Sequence, residues 1–170
     1  MAHLPYHRTL EQFDFRFQPS IDERRIRDLA TLRFVENREN LIFLGPPGTG
    51  KTHLAVALAL GAIQHRYTVY FVTAHDLVQM LQQAYQNQTI KQKMRVLTRP
   101  HLLIIDEVGY RKMEEPAMHF FFQIVSERYE TGSIIFASNK SYGSGGYFWR
   151  LGPGHRHPGP PAPPLHNDQH

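Results

Sequence analysis

A glycine-rich loop between two apolar segments constrains this chain more than any other feature. Residues 45–52 read Gly-Pro-Pro-Gly-Thr-Gly-Lys-Thr and fit the pattern G-x-x-x-x-G-K-[ST]. The residues before the loop, 41–44, predict a buried strand, and residues 51–64 predict a helix rich in alanine and leucine. Such a loop turns successive backbone N–H groups toward one concavity, at the positive end of the following helix. The sequence therefore predicts a strand–loop–helix unit that binds phosphate groups.

The residue types in the loop predict a role for most of its members. The glycines allow the backbone to turn, the Lys51 side chain reaches the β- and γ-phosphates of a nucleotide, and the Thr52 hydroxyl ligates Mg²⁺. A glycine-rich turn with an incidental lysine is the alternative, and the flanking strand and helix argue against it. The predicted nucleotide-binding residues are Gly45, Pro46, Pro47, Gly48, Thr49, Gly50, Lys51 and Thr52.

Strands and helices alternate along the rest of the chain. Strands are predicted at 41–44, 68–72, 101–105 and 133–137, and helices over about 21–36, over 51–64, from Asp76, and from Pro116 to before Gly132. The strands are apolar on both faces, as in a sheet that is covered on both sides. The predicted fold class is therefore α/β, with three layers in the order α/β/α around a mainly parallel sheet.

The composition changes near residue 144. Residues 145–170 hold six of the twelve prolines, five glycines and four histidines, with Asp168 as their single acidic residue. A segment with so few aliphatic side chains cannot form a core and is predicted to be disordered. The predicted organisation is an N-terminal linker over 1–19, a core domain over 20–144, and a tail over 145–170.

Composition also excludes several classes of protein. The 170-residue chain contains no cysteine, which excludes disulfides, thiolate zinc sites and cysteine nucleophiles. The longest near-apolar run, 54–63, has about half the length of a membrane span, and the N-terminus has no apolar signal segment. We therefore expect a soluble, cytoplasmic protein without a membrane partner. A net charge of +4 permits a nucleic-acid partner without requiring one.

Polar side chains follow the third and fourth predicted strands. Asp106 and Glu107 come directly after four aliphatic residues, and Asn139 lies two positions after the end of the next predicted strand. In parallel sheets the ligand lies beyond the carboxyl ends of the strands. Asp106 is predicted to hold Mg²⁺ together with Thr52. Glu107 is predicted to orient or deprotonate the water molecule that attacks the γ-phosphate of the nucleotide. Lys51, Glu107 and Asn139 are the predicted catalytic residues, with Asn139 positioning the water. The alternatives are a solvated turn for the acidic pair and a simple turn start for the amide.

Two other nucleotide enzymes share parts of this pattern. Residues 106–109 also fit D-x-x-G, and residues 139–140 begin the GTPase pattern N-K-x-D. The fourth position is Tyr142, so the carboxylate that would recognise guanine is missing. ATP is therefore favoured over GTP as the ligand. A small-molecule kinase is disfavoured because no arginine-rich lid motif is evident.

Five stretches outside the glycine-rich loop add to the pattern. They are Leu-Glu-Gln-Phe-Asp-Phe at 10–15, Gln-Pro-Ser-Ile-Asp at 18–22, Ile-Asp-Glu-Val-Gly-Tyr at 105–110, Arg-Tyr-Glu at 128–130 and Ser-Asn-Lys-Ser at 138–141. Over about residues 9–146 the chain resembles the IstB family of AAA+ ATPases, which are transposition helper proteins similar to DnaC helicase loaders. The resemblance implies ATP-dependent assembly into a homo-oligomer on DNA and a transposase partner. It also implies that Gly48, Gly50, Lys51 and Thr52 bind nucleotide and that Asp106, Glu107 and Asn139 form the hydrolytic centre.

The chain departs from the family's pattern at both ends. Family members usually have a DNA-associated segment before the Phe-Asp-Phe stretch, and here the chain begins almost at that stretch. They also continue past residue 143 into a helical portion with Asp-Arg-Leu, whose arginine acts on a neighbouring subunit's nucleotide. The resemblance thus leaves two alternatives to an active ATPase: an interaction protein or truncated remnant that binds nucleotide without turnover, and a helicase loader similar to DnaC.

A basic stretch follows the third predicted helix. Between Asp76 and Asp106 the sequence contains no acidic residue. Its four closely spaced cations are Lys91, Lys93, Arg95 and Arg99. They predict either a solvated helix face or contacts with DNA phosphates, which salt would weaken. The family resemblance favours DNA.

The tail is predicted to be an out-of-frame reading of the family's helical portion. Permitted codons for residues 149–165, read from the second base of the Trp149 codon, give Gly-Asp-Leu-Ala-Leu-Ala-Thr-Ala-Ile-Leu-Asp-Arg-Leu-Leu-His-His. This peptide is similar to the missing portion. The coding DNA for residues 143–149 tests the prediction, and a one-base shift within codons 143–148 should restore the helix. If no such shift restores it, the tail is authentic.

Overall fold

The computed structural model describes residues 4–17, 22–46, 48–109, 112–139 and 147–151. The helices are α1 (Glu23–Leu29), α2 (Arg33–Glu36), α3 (Lys51–Gln64), α4 (Ala74–Gln86), α5 (Ile90–Thr98) and α6 (Ala117–Arg128). The strands are β1 (Asn40–Leu44), β2 (Val69–Thr73), β3 (Leu102–Val108), β4 (Ser133–Ser138) and β5 (Tyr147–Leu151). Two short 3₁₀ turns, Leu10–Gln12 and Phe15–Phe17, precede α1. Within these described ranges, no helix has the length and apolar character needed to cross a membrane.

The strands form one sheet in the order β2-β3-β4-β1-β5. The first four strands pair in parallel, whereas β5 runs antiparallel to β1. The strand β1 lies beside β4, so α3 crosses β4 and β3 before the chain enters β2. The registers bring Leu44, Val108 and Ser138 level with one another at one edge of the sheet. The predicted α/β class and mainly parallel sheet are confirmed, and this edge carries the candidate site.

Apolar side chains cover both faces of the sheet. On the first face α1, α2 and α3 pack against Leu102 and Ile104, and on the second face α4, α5 and α6 pack against Leu103 and Ile105. Successive residues of a strand point to opposite faces, so a strand buried on both sides must be apolar throughout. This explains the uninterrupted aliphatic run in β3, whose four residues are fully buried.

The helix predicted over 21–36 is two helices in the structure. Leu32 has φ +65°, a left-handed conformation that interrupts the helical hydrogen bonds between α1 and α2. Its side chain is only 1% exposed, so the break places an apolar residue in the core. The apolar periodicity alone did not distinguish one long helix from two short ones. The structure also contains α5 as a separate helix, whose bounds the apolar pattern did not indicate.

The strand β5 departs from the disorder that composition predicts for residues 145–170. Residues 147–151 pair along the open edge of β1. Their sequence begins with three consecutive aromatic residues, which have high strand propensity. An edge strand gains backbone hydrogen bonds without needing a core of its own, so a short favourable stretch suffices. Residues 152–170 lie outside the described residues, as do residues 145–146.

A buried arginine connects α6 to its neighbours on the second face. The Arg128 side chain is 1% exposed and donates to the carbonyl oxygens of Leu97 at 3.1 Å and Ser133 at 2.8 Å. Burial lowers the pKa of Arg128 to about 10. Because its acceptors belong to α5 and β4, this guanidinium fixes the C-terminal end of α5 relative to the sheet.

Candidate functional site

The glycine-rich loop joins β1 to α3 at the carboxyl edge of the sheet. Gly48 and Gly50 have φ values of +81° and +87°, in the left-handed region that favours glycine. Gly50 is the residue before the first turn of α3, and Lys51 begins the helix. The Gly45 amide donates to the Ser138 carbonyl at 3.2 Å, which ties the start of the loop to the end of β4. The backbone conformation therefore favours glycine at positions 48 and 50. Pro47 lies outside the described residues.

The Lys51 side chain folds back into its own loop. Its ammonium group donates to the carbonyl oxygens of Gly45 and of Pro46, the latter at 2.8 Å, and to the Thr49 hydroxyl at 3.3 Å. Burial lowers the pKa of Lys51, and the negative charge of Asp106 partly opposes this effect. The loop thus holds a largely buried cation with neutral oxygen atoms, which leaves its charge available to an anion.

The first turn of α3 meets the end of β3. The Thr52 hydroxyl donates to Asp106 Oδ2 at 2.7 Å, across 54 positions of the chain. The other carboxylate oxygen, Oδ1, accepts from the Glu107 amide at 2.9 Å, and Asp106 is 6% exposed. Hydroxyl and carboxylate oxygens are the ligand types that Mg²⁺ prefers. The donor atoms that the structure brings together therefore fit the metal predicted for these two residues.

A backbone irregularity separates the two carboxylates. The register between β3 and β4 shifts between Ile105 and Val108, and Glu107 has φ +57°. Asp106 is consequently buried at the strand end, whereas Glu107 is exposed. A left-handed conformation is unfavourable for a glutamate, and such strained positions cluster at functional sites. The two acidic residues therefore stand in different environments, a difference that the sequence did not predict.

Asn139 lies at the same edge of the sheet. It directly follows Ser138, the last residue of β4, and is half-buried. The Ser138 hydroxyl donates to the Val108 carbonyl at 2.7 Å, which closes the gap that the register shift opens between β3 and β4. The structure thus brings the loop, the acidic pair and Asn139 to one edge, as their positions after neighbouring parallel strands require.

The N-terminal segment contributes residues that no motif identified. The Phe13 ring packs against Gly50, where an added Cβ atom would lie 2.4 Å from ring atom Cε2. His53 Nε2 lies 2.8 Å from the Thr9 carbonyl oxygen, and the rings of Phe13 and His53 make an edge contact with centroids 5.2 Å apart. The segment over 1–19 predicted as a linker therefore covers the first turn of α3 with residues 9–13. The Phe-Asp-Phe stretch was the available signal, but its spacing alone indicated no contact.

A cavity of about 900 Å³ adjoins the site at Glu107. It lies between α4 and α6, on the second face of the sheet. Its lining is mainly apolar and aromatic, with Phe121 and the 63% exposed Phe122 on α6, and includes the charged residues Asp76 and Lys112. None of the described loop residues lines this cavity, so Glu107 is the member of the candidate site's acidic pair that borders it.

The predicted basic residues lie on the second face. Lys91, Lys93 and Arg95 belong to α5, and Arg99 directly follows this helix. Lys93 is half-buried, whereas the other three are exposed. The helix packs through Met94 and Leu97 against α4 and α6. Positions 91, 95 and 99 are four residues apart and therefore share one side of the helix, whereas Lys93 lies on another side, nearer the packed face.

Comparisons with known proteins bear on this site. A family model described as IstB-like ATP binding protein matches residues 1–149. The ATP-binding protein of insertion sequence IS5376 from Geobacillus stearothermophilus is 51% identical over 146 residues, which are 86% of this chain and 58% of the relative. AMPPCP-bound DnaA from Aquifex aeolicus has a TM-score of 0.71 at 26% identity, over 83% of this chain and 44% of its own. The DnaC helicase loader has a TM-score of 0.59 at 25% identity, over 71% of this chain and 73% of the loader.

These matches confirm the family resemblance and the AAA+ type of fold. The chain spans little more than half the length of the insertion-sequence relative. Residues beyond 149 fall outside the family match.

Alanine at Gly50 and alanine at Gly61 should change the stability of the protein in opposite directions. In Gly50→Ala, the left-handed backbone costs about 1–2 kcal/mol, and the overlap with Phe13 adds to this cost. In Gly61→Ala, inside α3 with open space around the new methyl group, stability should rise by about 0.5–1 kcal/mol. Urea unfolding followed by circular dichroism measures both changes.

A second substitution separates the two costs at Gly50. Phe13→Leu combined with Gly50→Ala should cost less than the sum of the single changes, since the smaller side chain relieves the overlap. Additive effects of Phe13→Leu and Gly50→Ala would contradict the packing of the N-terminal segment on the loop. Equal stability of Gly50→Ala and Gly61→Ala would also contradict the left-handed conformation of Gly50.

Proposed function

The chain belongs to the IstB-like ATP-binding protein family, and from this membership and its site we propose that it is a Mg²⁺-dependent ATPase that acts on DNA with a transposase. The observation that carries this proposal is the 2.7 Å hydrogen bond between Thr52 and Asp106. This bond joins the phosphate-binding loop to the acidic strand end, so one triphosphate and one metal ion would contact both.

Lys51 would bind the β- and γ-phosphates of ATP. In the structure its ammonium group is held by carbonyl oxygens of the loop, including that of Pro46 at 2.8 Å. Phosphate oxygens would replace these neutral acceptors and stabilise the charge that burial disfavours. Backbone N–H groups of the loop and of the first turn of α3 would bind the remaining phosphate oxygens.

Thr52 and Asp106 would hold Mg²⁺, which supplies positive charge beside the phosphate oxygens when it is bound. The hydroxyl hydrogen of Thr52 points to Asp106 Oδ2. This hydrogen bond leaves a lone pair of the hydroxyl oxygen free to face a cation. The buried Asp106 carboxylate also accepts from the Glu107 amide, which fixes its orientation.

Glu107 would activate the water that attacks the γ-phosphorus. Its carboxylate is exposed next to the buried Asp106, so water can reach it. The carboxylate would accept a proton from the water as the new P–O bond forms and the bond to the β-phosphate oxygen breaks. The Asn139 amide would hold the same water in line. The products are ADP and inorganic phosphate.

The basic residues of α5 support the DNA part of the proposal. Lys91, Arg95 and Arg99 are exposed on the second face, and Arg128 fixes the end of α5 that precedes Arg99. Their positive charges suit contacts with phosphates of the DNA backbone. A transposase partner and ATP-dependent assembly into a homo-oligomer rest on the family resemblance.

A second candidate function is an interaction protein that binds ATP without turning it over, and a third is a helicase loader. The interaction protein is favoured because the family match does not include residues after 149. In the family, the arginine that acts on a neighbouring subunit's nucleotide belongs to that region. Such an arginine can raise turnover by orders of magnitude. The structural similarity to the DnaC helicase loader favours the helicase loader.

Two substitutions test the assignment of roles. Lys51→Ala should abolish ATP binding or turnover, because no other side chain of the loop carries a positive charge. Glu107→Gln should retain binding and block turnover, because an amide accepts no proton from water. Equilibrium dialysis with labelled ATP measures binding, and a phosphate-release assay measures turnover, each with Mg²⁺.

The same assays, run with and without duplex DNA, separate the ATPase from the interaction protein. Phosphate release by the unsubstituted chain supports the ATPase, whereas ATP binding without release supports the interaction protein. Tight ATP binding by Lys51→Ala would contradict the assignment of the site itself.

Removing the basic residues of α5 tests the DNA interaction. A variant with alanine at positions 91, 93, 95 and 99 should bind duplex DNA more weakly. The slope of log K against log salt should become shallower by about 0.9 for each DNA phosphate that the variant no longer neutralises. Fluorescence anisotropy at several salt concentrations measures both quantities. A second test variant with alanine only at Arg95 and Arg99 loses two exposed cations, and its matched control has alanine at Arg24 and Arg25, which are exposed on α1 at the opposite face. Equally weakened binding in these last two variants would contradict the assignment.

A further inference from the structure

The residue after Arg8 is fixed on the first turn of α3. The Thr9 amide donates to Gln12 Oε1 at 2.8 Å, and the Thr9 carbonyl oxygen lies 2.8 Å from His53 Nε2. His53 is the third residue of α3, directly after Thr52. The backbone that carries Arg8 is therefore held beside the first turn of the helix that follows the phosphate-binding loop.

Arg8 in turn is held by an aromatic ring. Its guanidinium carbon lies 5.1 Å from the centroid of the Tyr6 ring, within the range of a cation–π contact. Burial raises the pKa of Tyr6, the charge of Arg8 lowers it, and the charge of Asp106 raises it. The contact between the Thr9 carbonyl and His53, one residue after Thr52, places the preceding Tyr6–Arg8 pair next to the first turn of α3 and hence at the margin of the nucleotide site. The influence of the Asp106 charge on Tyr6 agrees with this placement.

We propose that Arg8 is a phosphate-binding residue of the nucleotide site, and that Tyr6 holds its guanidinium in place until a nucleoside polyphosphate binds. The inference rests on the proposed ATP binding. A guanidinium offers two parallel N–H donors to a phosphate group, and such charged hydrogen bonds are stronger than an exposed cation–π contact. Arg8 is exposed, so it can exchange the Tyr6 ring for phosphate oxygens without loss of buried packing.

The chain offers a matched control on the same segment. Arg16 is also exposed, with 90% of its side chain accessible, but it forms an ion pair with Asp14 at 3.2 Å. It follows the Phe13 contact with α3, whereas Arg8 precedes it. Removal of the Arg16 side chain should therefore leave nucleotide affinity unchanged.

The test compares Arg8→Ala, Arg8→Lys and Arg16→Ala in the full chain. Isothermal titration with ATP, ADP and adenosine in the presence of Mg²⁺ gives each Kd. Arg8→Ala should weaken ATP binding about tenfold, as expected when charge-assisted hydrogen bonds are removed. The affinity for ADP, which has one phosphate fewer, should fall less. The affinity for adenosine, which has no phosphate, should not change, since the missing donors would bind phosphate. Arg8→Lys should recover part of the affinity, and Arg16→Ala should match the unsubstituted chain.

Two results would overturn the inference: an unchanged ATP Kd in Arg8→Ala, or equally weakened binding of adenosine. Thermal unfolding without nucleotide shows whether Arg8→Ala stays folded, and if it does not, Arg8→Lys against Arg16→Ala decides in the same way. Lys51→Ala separates this inference from the proposed function. If Lys51→Ala abolishes ATP binding while Arg8→Ala does not alter it, only the role of Arg8 fails. If Lys51→Ala binds ATP normally, the proposed site itself fails.

Discussion

The hydrogen bond between Thr52 and Asp106 depends on the order of the strands. Because β1 lies beside β4, the helix that follows β1 must cross β4 and β3, and its first turn then stands beside the end of β3. The Gly45 amide reinforces the arrangement by donating to the Ser138 carbonyl, which fixes the loop to β4 from its other end. The site is thus a consequence of parallel pairing among β1, β3 and β4.

The end of β3 gives neighbouring acidic residues different chemistry. In a regular strand, successive side chains point to opposite faces, which would carry one carboxylate away from the edge. The register shift and the left-handed conformation of Glu107 replace this alternation with a turn. Asp106 then stays buried with hydrogen-bond donors, while Glu107 reaches solvent and the cavity between α4 and α6. A ligand in that cavity would contact the residue that we propose activates water.

The apolar patterns and the motif spacing predicted those parts of the fold that backbone geometry and burial constrain most strongly. The uninterrupted aliphatic strands, the glycines of the loop and the polar residues at strand ends each have few alternatives, and the structure has them where expected. The break at Leu32 and the left-handed conformation of Glu107 were not predictable. In each case the free-energy cost of the local backbone conformation is offset by tertiary packing, and the sequence alone does not show this balance. The strand β5 was missed for the opposite reason, since composition averages over a stretch of 26 residues and hides three aromatic ones at 147–149. Roles in catalysis, by contrast, stay predictions.

The packing of Phe13 adds a second constraint on the third glycine of the loop, beside that of its own backbone. Gly50 needs a left-handed φ to start α3, and a ring of the N-terminal segment occupies the space where its side chain would be. The same ring contacts His53, which holds Thr9. A movement of the loop on binding phosphate would therefore be transmitted to residues 9–13 and to the Tyr6–Arg8 pair before them. Conversely, a segment that is displaced would leave the first turn of α3 without its cover. The N-terminal segment and the loop are consequently packed together, although nearly 40 residues separate them in the sequence.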